Sequence, residues 1–190
     1  IVEVLETPEN RDAEYEISIK LDGTSITCYS RDAEVGVCSR NLELKINEEN
    51  ANNAYVKNFF SSGLQKALIQ LGENIAVQGE LMGPGIQGNR EQLKDFTIFV
   101  FDIYDIDQAK FLTPAEREAM FIKLADAGFM GRHVTVLPEK TLPGDTLEKL
   151  LAFAEGPSIN HAIREGLVYK RKDGKFSFKT ISNQFLLKEK

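Results

Sequence analysis

The 190-residue chain is 42% hydrophobic and 27% charged, the balance of an ordinary soluble globular protein, long enough to bury a sizeable core as one large domain or two small ones. Its longest apolar runs, near Phe96–Phe101 and Phe185–Leu187, fall far short of the roughly 20 residues that a membrane helix needs. The net charge of −6 excludes a protein that coats nucleic acid by bulk charge alone.

That charge is uneven. Residues 164–190 hold eight Lys/Arg against three Asp/Glu, a balance of +5, while the preceding residues hold 15 basic and 26 acidic, a balance of −11. A basic terminal segment on an acidic body reads as a localised anion site or, equally, as a solvated pair of charged strands. The chain opens on Ile and shows no basic-then-apolar leader. We therefore expect an intracellular protein, cytoplasmic or nuclear, and a fragment whose natural start lies upstream.

In chain order, Glu14–Lys20 and Ser25–Tyr29 alternate like half-buried strands on either side of the Asp22-Gly23 turn, and Glu34–Cys38 reads as a returning partner. A hairpin turn centred on Arg31-Asp32 would set Cys28 against a residue near Val35, leaving Cys28 and Cys38 out of register. Two thiols are too few for a disulfide scaffold, and both are expected to be reduced packing residues. Two distant histidines and no Cys/His cluster speak against structural zinc.

From Asn53 to Leu71 apolar residues recur at helical spacing, closed by Gly72. Ile75–Leu81 is a strand, followed by the glycine-rich "GPGIQGN" and a strongly apolar strand at Phe96–Tyr104. Thr113-Pro114-Ala115-Glu116 is a helix start with a Thr cap, Pro at the first helical position and Glu three residues after the cap. That helix should run to about Ala127. A short strand at Val134–Leu137, a helix at about Thr146–Ala154, and two strands, Gly166–Arg171 and Lys175–Ile181, joined by "KDG", complete the pattern. The fold class is α+β with mostly antiparallel sheet and flanking helices.

Gly83-Pro84-Gly85-Ile86-Gln87-Gly88 fits G-x-G-x-x-G, but the dinucleotide fingerprint needs a helix opening at those glycines, and here another strand follows. Lys20 is more informative. By itself a lysine at an exposed strand end is a solvated charge, yet it stands in Lys20-Leu21-Asp22-Gly23, and other motifs follow in order. These are Ser39-Arg40-Asn41, Gly79-Glu80, Phe99-Val100-Phe101-Asp102, Glu165-Gly166-Leu167-Val168-Tyr169-Lys170, and Phe178-Lys179.

This ordered set, spanning Lys20 to Lys179, resembles the covalent nucleotidyltransferases: ATP-dependent DNA and RNA ligases and mRNA capping enzymes. "VQGELMGPGIQGN" and the terminal "FKTISNQFLLK" are most similar to RNA ligases of the Naegleria/Deinococcus type. The resemblance implies that residues 1–190 form a nucleotidyltransferase (ATP-grasp-like ligase) domain, with an OB domain preceding it. It implies ATP and Mg²⁺ or Mn²⁺ as cofactors, and a nicked RNA duplex or RNA/DNA hybrid as partner. A monomer with no membrane association is expected.

By the same resemblance, Lys20 attacks the α-phosphate of ATP to form lysyl-AMP, and the site must deliver its amine unprotonated. Asp22 lies near that lysine, and Gly23 lets the backbone pass close to the nucleotide. Arg40 contacts ribose or phosphate, and Glu80 binds the ribose and acts near the reacting ends. Phe101 stacks on adenine, with Phe99 in reserve on the same strand face; without the resemblance both would read as core. Glu165 acts through a metal or its water shell, with Asp22 and Asp102 as lesser candidates for the same hydrated ion. Lys179 holds the α-phosphate. The family's last motif shows K-x-K, whereas Ser177 and Ile181 flank Lys179 here, so Lys179 works alone or Lys170 or Lys175 supplies the second charge. A DNA-nick ligase and a non-catalytic nucleotide- or RNA-binding module are the alternative functions.

Overall fold

The computed structural model describes residues 2–188. Its first half runs α1 (Val2–Glu6), α2 (Pro8–Arg11), β1 (Tyr15–Lys20), β2 (Thr24–Arg31), β3 (Glu34–Cys38), β4 (Glu43–Leu44), α3 (Ala54–Ser61), α4 (Leu64–Leu71) and β5 (Ile75–Met82). Then come β6 (Thr97–Asp105), β7 (Lys110–Phe111), α5 (Pro114–Asp126), β8 (Arg132–His133), α6 (Leu147–Ala154), β9 (Gly166–Arg171), β10 (Ser177–Ile181) and α7 (Asn183–Lys188). The chain divides into two units, one from Ile1–Asp22 with Val134–Lys190, the other Gly23–His133. The α+β class holds, and among the described residues only β6 and β8 pair in parallel. No helix among the described residues is long and apolar enough to cross a membrane.

The first unit holds an antiparallel sheet of order β1-β9-β10. The strands flanking Asp22-Gly23 do not pair with each other, because β1 takes β9 as its partner and β2 joins the other unit's sheet. The outer edge of β1 is occupied by the stretch 135–140, through Ile19 N–H to Thr135 O at 2.9 Å and Leu137 N–H to Ile17 O at 2.8 Å. The strand expected at Val134–Leu137 is thus a single bridge, Ser18 with Val136, and the regular pairing falls earlier, at Arg132–His133. On one sheet face Tyr169 and Phe178 stack with centroids 4.4 Å apart, and Tyr15 meets both edge-on. β9 is approached through a seven-residue loop whose base is closed by Arg164 N–H to Gly156 O at 2.9 Å. The buried Arg164 guanidinium bonds Phe153 O, Ala154 O and Glu155 O, satisfying carbonyls at the C-terminus of α6. Burial lowers its pKa from the usual arginine value.

The second unit is a sheet of order β4-β3-β2-β5-β6-β7, with β8 added to β6. One face packs on α3, α4 and α5 around Ile26, Val37, Phe59, Leu64, Leu68, Val77, Leu81, Val100 and Leu124. The single helix implied by the spacing over Asn53–Leu71 is two helices. Gly63 adopts φ +80, and a Cβ there would lie 2.3 Å from Gly128 O, so the chain breaks where another segment presses against it. The α5 start is as the sequence indicates, with a complete Thr113/Glu116 capping box. In the β2–β3 hairpin Arg31 pairs with Glu34 and Cys28 with Val37, two places from the residue expected. The turn is Asp32-Ala33, both at positive φ, instead of Arg31-Asp32. Both cysteines are free, Cys28 is buried, and burial pushes its thiol well up. The glycine-rich loop makes one short 3₁₀ turn at Gln87–Asn89 and opens no α-helix before β6.

Candidate active site

In the first unit, antiparallel register decides which side chains share a face. Lys20, Gly166 and Ile181 form one row, Ser18, Val168 and Lys179 the next, and Glu16, Lys170 and Ser177 a third. Side chains alternate along each strand, so these rows lie on one face and the aromatic cluster on the other. Lys20, Lys170 and Lys179 therefore face the same way. Lys179 is exposed and Lys170 is 8% exposed. Lys175 is exposed in the turn ahead of β10 and belongs to no row, so of the two candidates for a second phosphate lysine only Lys170 shares this face.

Lys20 is not the solvated cation that its strand-end position alone would suggest. Its Nζ donates to Glu165 Oε1 at 2.9 Å, and the two side chains are only 24% and 15% exposed. The pair bridges 145 residues of sequence, and the β1–β9 register creates it by placing Lys20 opposite Gly166. No side chain fits at Gly166, since a Cβ would stand 2.0 Å from Thr180 O. Glu165 is fixed on both flanks: its carbonyl accepts from Ser182 N–H at 2.8 Å, and Arg164 is tied to α6. Its second oxygen, Oε2, is buried and has no hydrogen-bond partner, a spare acceptor beside the lysine amine. Asp22 is half-buried at the end of this unit's first segment.

In the second unit the candidates gather on the sheet face opposite the helices. Ser25 pairs with Glu80, Glu80 with Phe99, and Phe99 with Arg132, making one row across the sheet. Between the pairs Gly79–Val100 and Gln78–Asp102 the strand β6 carries one extra residue, Phe101. Such a bulge releases a residue from the ladder and re-aims its side chain. Phe101 is accordingly half-buried, whereas Phe99 is 1% exposed, with the Arg132 guanidinium 5.3 Å from its ring centroid. Phe99 is thus a buried packing residue and drops out as the reserve stacking aromatic. Glu80 and Asp102 are half-buried. Gly79 has no room for a Cβ, which would lie 2.8 Å from Phe99 O; at Gly23 the clash is with Leu81 O at 2.6 Å. The backbone that comes close to Gly23 is therefore that of β5. Arg40 is exposed in the turn after β3, closed by Ser39 N–H to Leu42 O, at the same sheet end as Ser25 and Glu80.

A divalent cation has limited direct ligands. No group of three or more His, Cys, Asp or Glu side chains that could hold a metal ion occurs among the described residues. The orphaned Glu165 Oε2 fits an ion that keeps most of its waters, the usual habit of Mg²⁺. A groove of about 630 Å³ lined by Ile46, Val56, Lys57 and Phe60 contains none of the candidate residues. Arg132 is the residue of this face that sequence reasoning missed, since it lies in no motif and only the β6–β8 pairing reveals its position.

The RNA ligase family model matches residues 13–184. Among solved structures, the chain is 44% identical to a point mutant of Naegleria gruberi RNA ligase with ATP and Mn, at TM-score 0.91 over 99% of this chain and 54% of that one. An apo mutant of Naegleria gruberi RNA ligase R4a is 45% identical, at TM-score 0.90 over 98% of this chain and 54% of that one. A further mutant of the Naegleria enzyme, with AMP and Mn, is 45% identical, at TM-score 0.89 over 97% and 53%. The chain thus spans about half the length of the structures it matches. No curated protein matches it.

Proposed function

From the premise that the chain belongs to the RNA ligase family, we propose that it carries the adenylylation chemistry of an ATP-dependent RNA ligase. The reading includes an OB domain ahead of residues 1–190 and a monomer acting in the cytoplasm or nucleus. The observation that carries it is the Lys20 amine, half-buried against Glu165 on the face that also bears Lys170 and Lys179.

In the first step the Nζ lone pair of Lys20 bonds to the α-phosphorus of ATP. The α–β P–O bond breaks, pyrophosphate departs, and Nζ loses a proton, leaving lysyl-AMP. Glu165 Oε1 orients Nζ through the hydrogen bond already present. Lys179 and Lys170 stabilise charge growing on the phosphate oxygens, a term that acts more on the transition state than on bound ATP. Phe101 stacks on adenine, Glu80 and Arg40 hold the ribose and nearby phosphate, and Gly23 lets the chain pass close against β5 beside them. A bound divalent metal would supply further positive charge at those oxygens; Glu165 Oε2, with Asp22 and Asp102, would hold its water shell. In the next two steps AMP passes to a 5′-phosphate end, and a 3′-OH then attacks that end and releases AMP. The proposed substrate is a nick in duplex RNA or an RNA/DNA hybrid. Structures of the Naegleria enzyme with ATP, AMP, Mn and PPi support the nucleotide part of this reading.

The test is incubation with α-labelled ATP and Mg²⁺ followed by denaturing electrophoresis. Labelled protein is expected, and Lys20→Ala or Lys20→Met should abolish it with the melting transition preserved. Acid-labile label persisting on the Lys20 variants would overturn the assignment.

A further inference from the structure

β8 is two residues long and is held in the sheet by its pairing with β6, which sets Arg132 opposite Phe99 in the row that continues to Glu80 and Ser25. Phe99 is 1% exposed while Arg132 is exposed, and the guanidinium carbon lies 5.3 Å from the ring centroid. A planar cation laid on a buried ring is held from one side and open to solvent on the other. An ordinary surface arginine sweeps many rotamers. Arg132 is instead pinned over that ring, its backbone about 10 Å from that of Glu80 across two strand spacings.

A guanidinium fork matches a phosphate's oxygens two at a time. ATP's own phosphates have Lys20, Lys170 and Lys179 under the proposed function, and Glu80 is the residue proposed to act near the reacting ends. We propose that Arg132 grips a backbone phosphate of the polynucleotide strand being joined. It would serve the end-joining steps and not the formation of lysyl-AMP. This inference rests on the ligase reading above.

The experiment uses the full-length protein, with the domain proposed ahead of residues 1–190, and compares wild type, Arg132→Gln and Arg132→Lys on two reactions: self-adenylylation with labelled ATP, and sealing of a nicked RNA duplex whose 5′ end is already adenylylated. Melting curves establish that the variants fold. For Arg132→Gln, self-adenylylation should stay within about twofold of wild type, while KM for the adenylylated nick rises about tenfold at little change in kcat. Loss of one phosphate contact should also make the dependence of log KM on log salt shallower by about 0.9. Arg132→Lys keeps the charge but not the fork or the stacking, so it should retain the salt slope with an intermediate KM. It carries the test if the Gln variant does not fold. Unchanged KM and slope in the folded variants would overturn the proposal. So would a parallel fall in self-adenylylation, which would assign Arg132 to the nucleotide. A wild type that seals no adenylylated RNA nick would refute the ligase reading itself, an outcome distinct from variants that seal as well as wild type.

Discussion

Replacing Gly166 by alanine should show how strictly the first sheet places the Lys20–Glu165 pair. Gly166 pairs with Lys20 on one side and Ile181 on the other. An added Cβ would stand 2.0 Å from Thr180 O and 3.0 Å from Ile181 Cα, backbone atoms that no rotamer change can move. Ordinary van der Waals contact lies near 3.5 Å, so β10 would have to retreat by about 1.5 Å. That retreat stretches the β9–β10 pairing at this row and the bond from Ser182 N–H to Glu165 O, now 2.8 Å. Two weakened bonds at about 1 kcal/mol each, with about 1–3 kcal/mol of overpacking, give a loss of about 3–5 kcal/mol. For a chain of this size that is a fall in Tm of about 6–20 °C. Thermal unfolding followed by circular dichroism measures it. Self-adenylylation, assayed well below the variant's own midpoint, should fall as well, because β10 carries Lys179. Gly72→Ala is the control: nothing lies within 4 Å of its added Cβ, so only the left-handed backbone costs, about 1–2 kcal/mol. A Gly166→Ala midpoint within about 2 °C of wild type would refute the reasoning.

The two phenylalanines of β6 should separate. Phe99→Ala empties a buried site and is expected to cost about 3–5 kcal/mol, whereas Phe101→Ala should leave stability nearly intact and raise KM for ATP. A stable Phe99→Ala variant with weakened ATP use would reverse the assignment. At high pH, the Tyr29 phenol is pushed up to about 12, chiefly by its hydrogen bond to Glu43, and burial pushes Tyr169 to about 12. Both folded values exceed the usual 10.0, so the stability they contribute is whole below pH 10 and is lost as pH rises through about 12. Urea midpoints should therefore fall over that window, less steeply in Tyr29→Phe; an identical pH profile in that variant would rule out the Tyr29 contribution.

Strands and caps with strong local chemistry were legible in the sequence: the alternation ending at Lys20, the Thr113–Glu116 box, and the hairpin through Asp173-Gly174. What local pattern could not carry were features decided by distant chain. The helical spacing runs unbroken across Ser62-Gly63, and only the backbone pressing from Gly128 explains the break. The β2–β3 turn uses Asp-Ala at positive φ, where the usual signal would be Asn-Gly. The bulge at Phe101 alters strand parity, so period-2 reasoning put Phe99 and Phe101 in one environment when the fold separates them. At the site, the motif resemblance named Lys20 and Glu165, but their contact depends on pairing across 145 residues. Arg132 had no motif to announce it.

The loop closed at its base by Gly156 and Arg164 has an evolutionary consequence. Glu165 is held by anchors that belong to α6 and to Ser182, outside the seven residues between Gly156 and Arg164. Lengthening such an excursion is cheap, since each doubling adds only about 0.6 kcal/mol of closure entropy. The loop can therefore lengthen while the anchors that hold the Lys20–Glu165 pair stay in place.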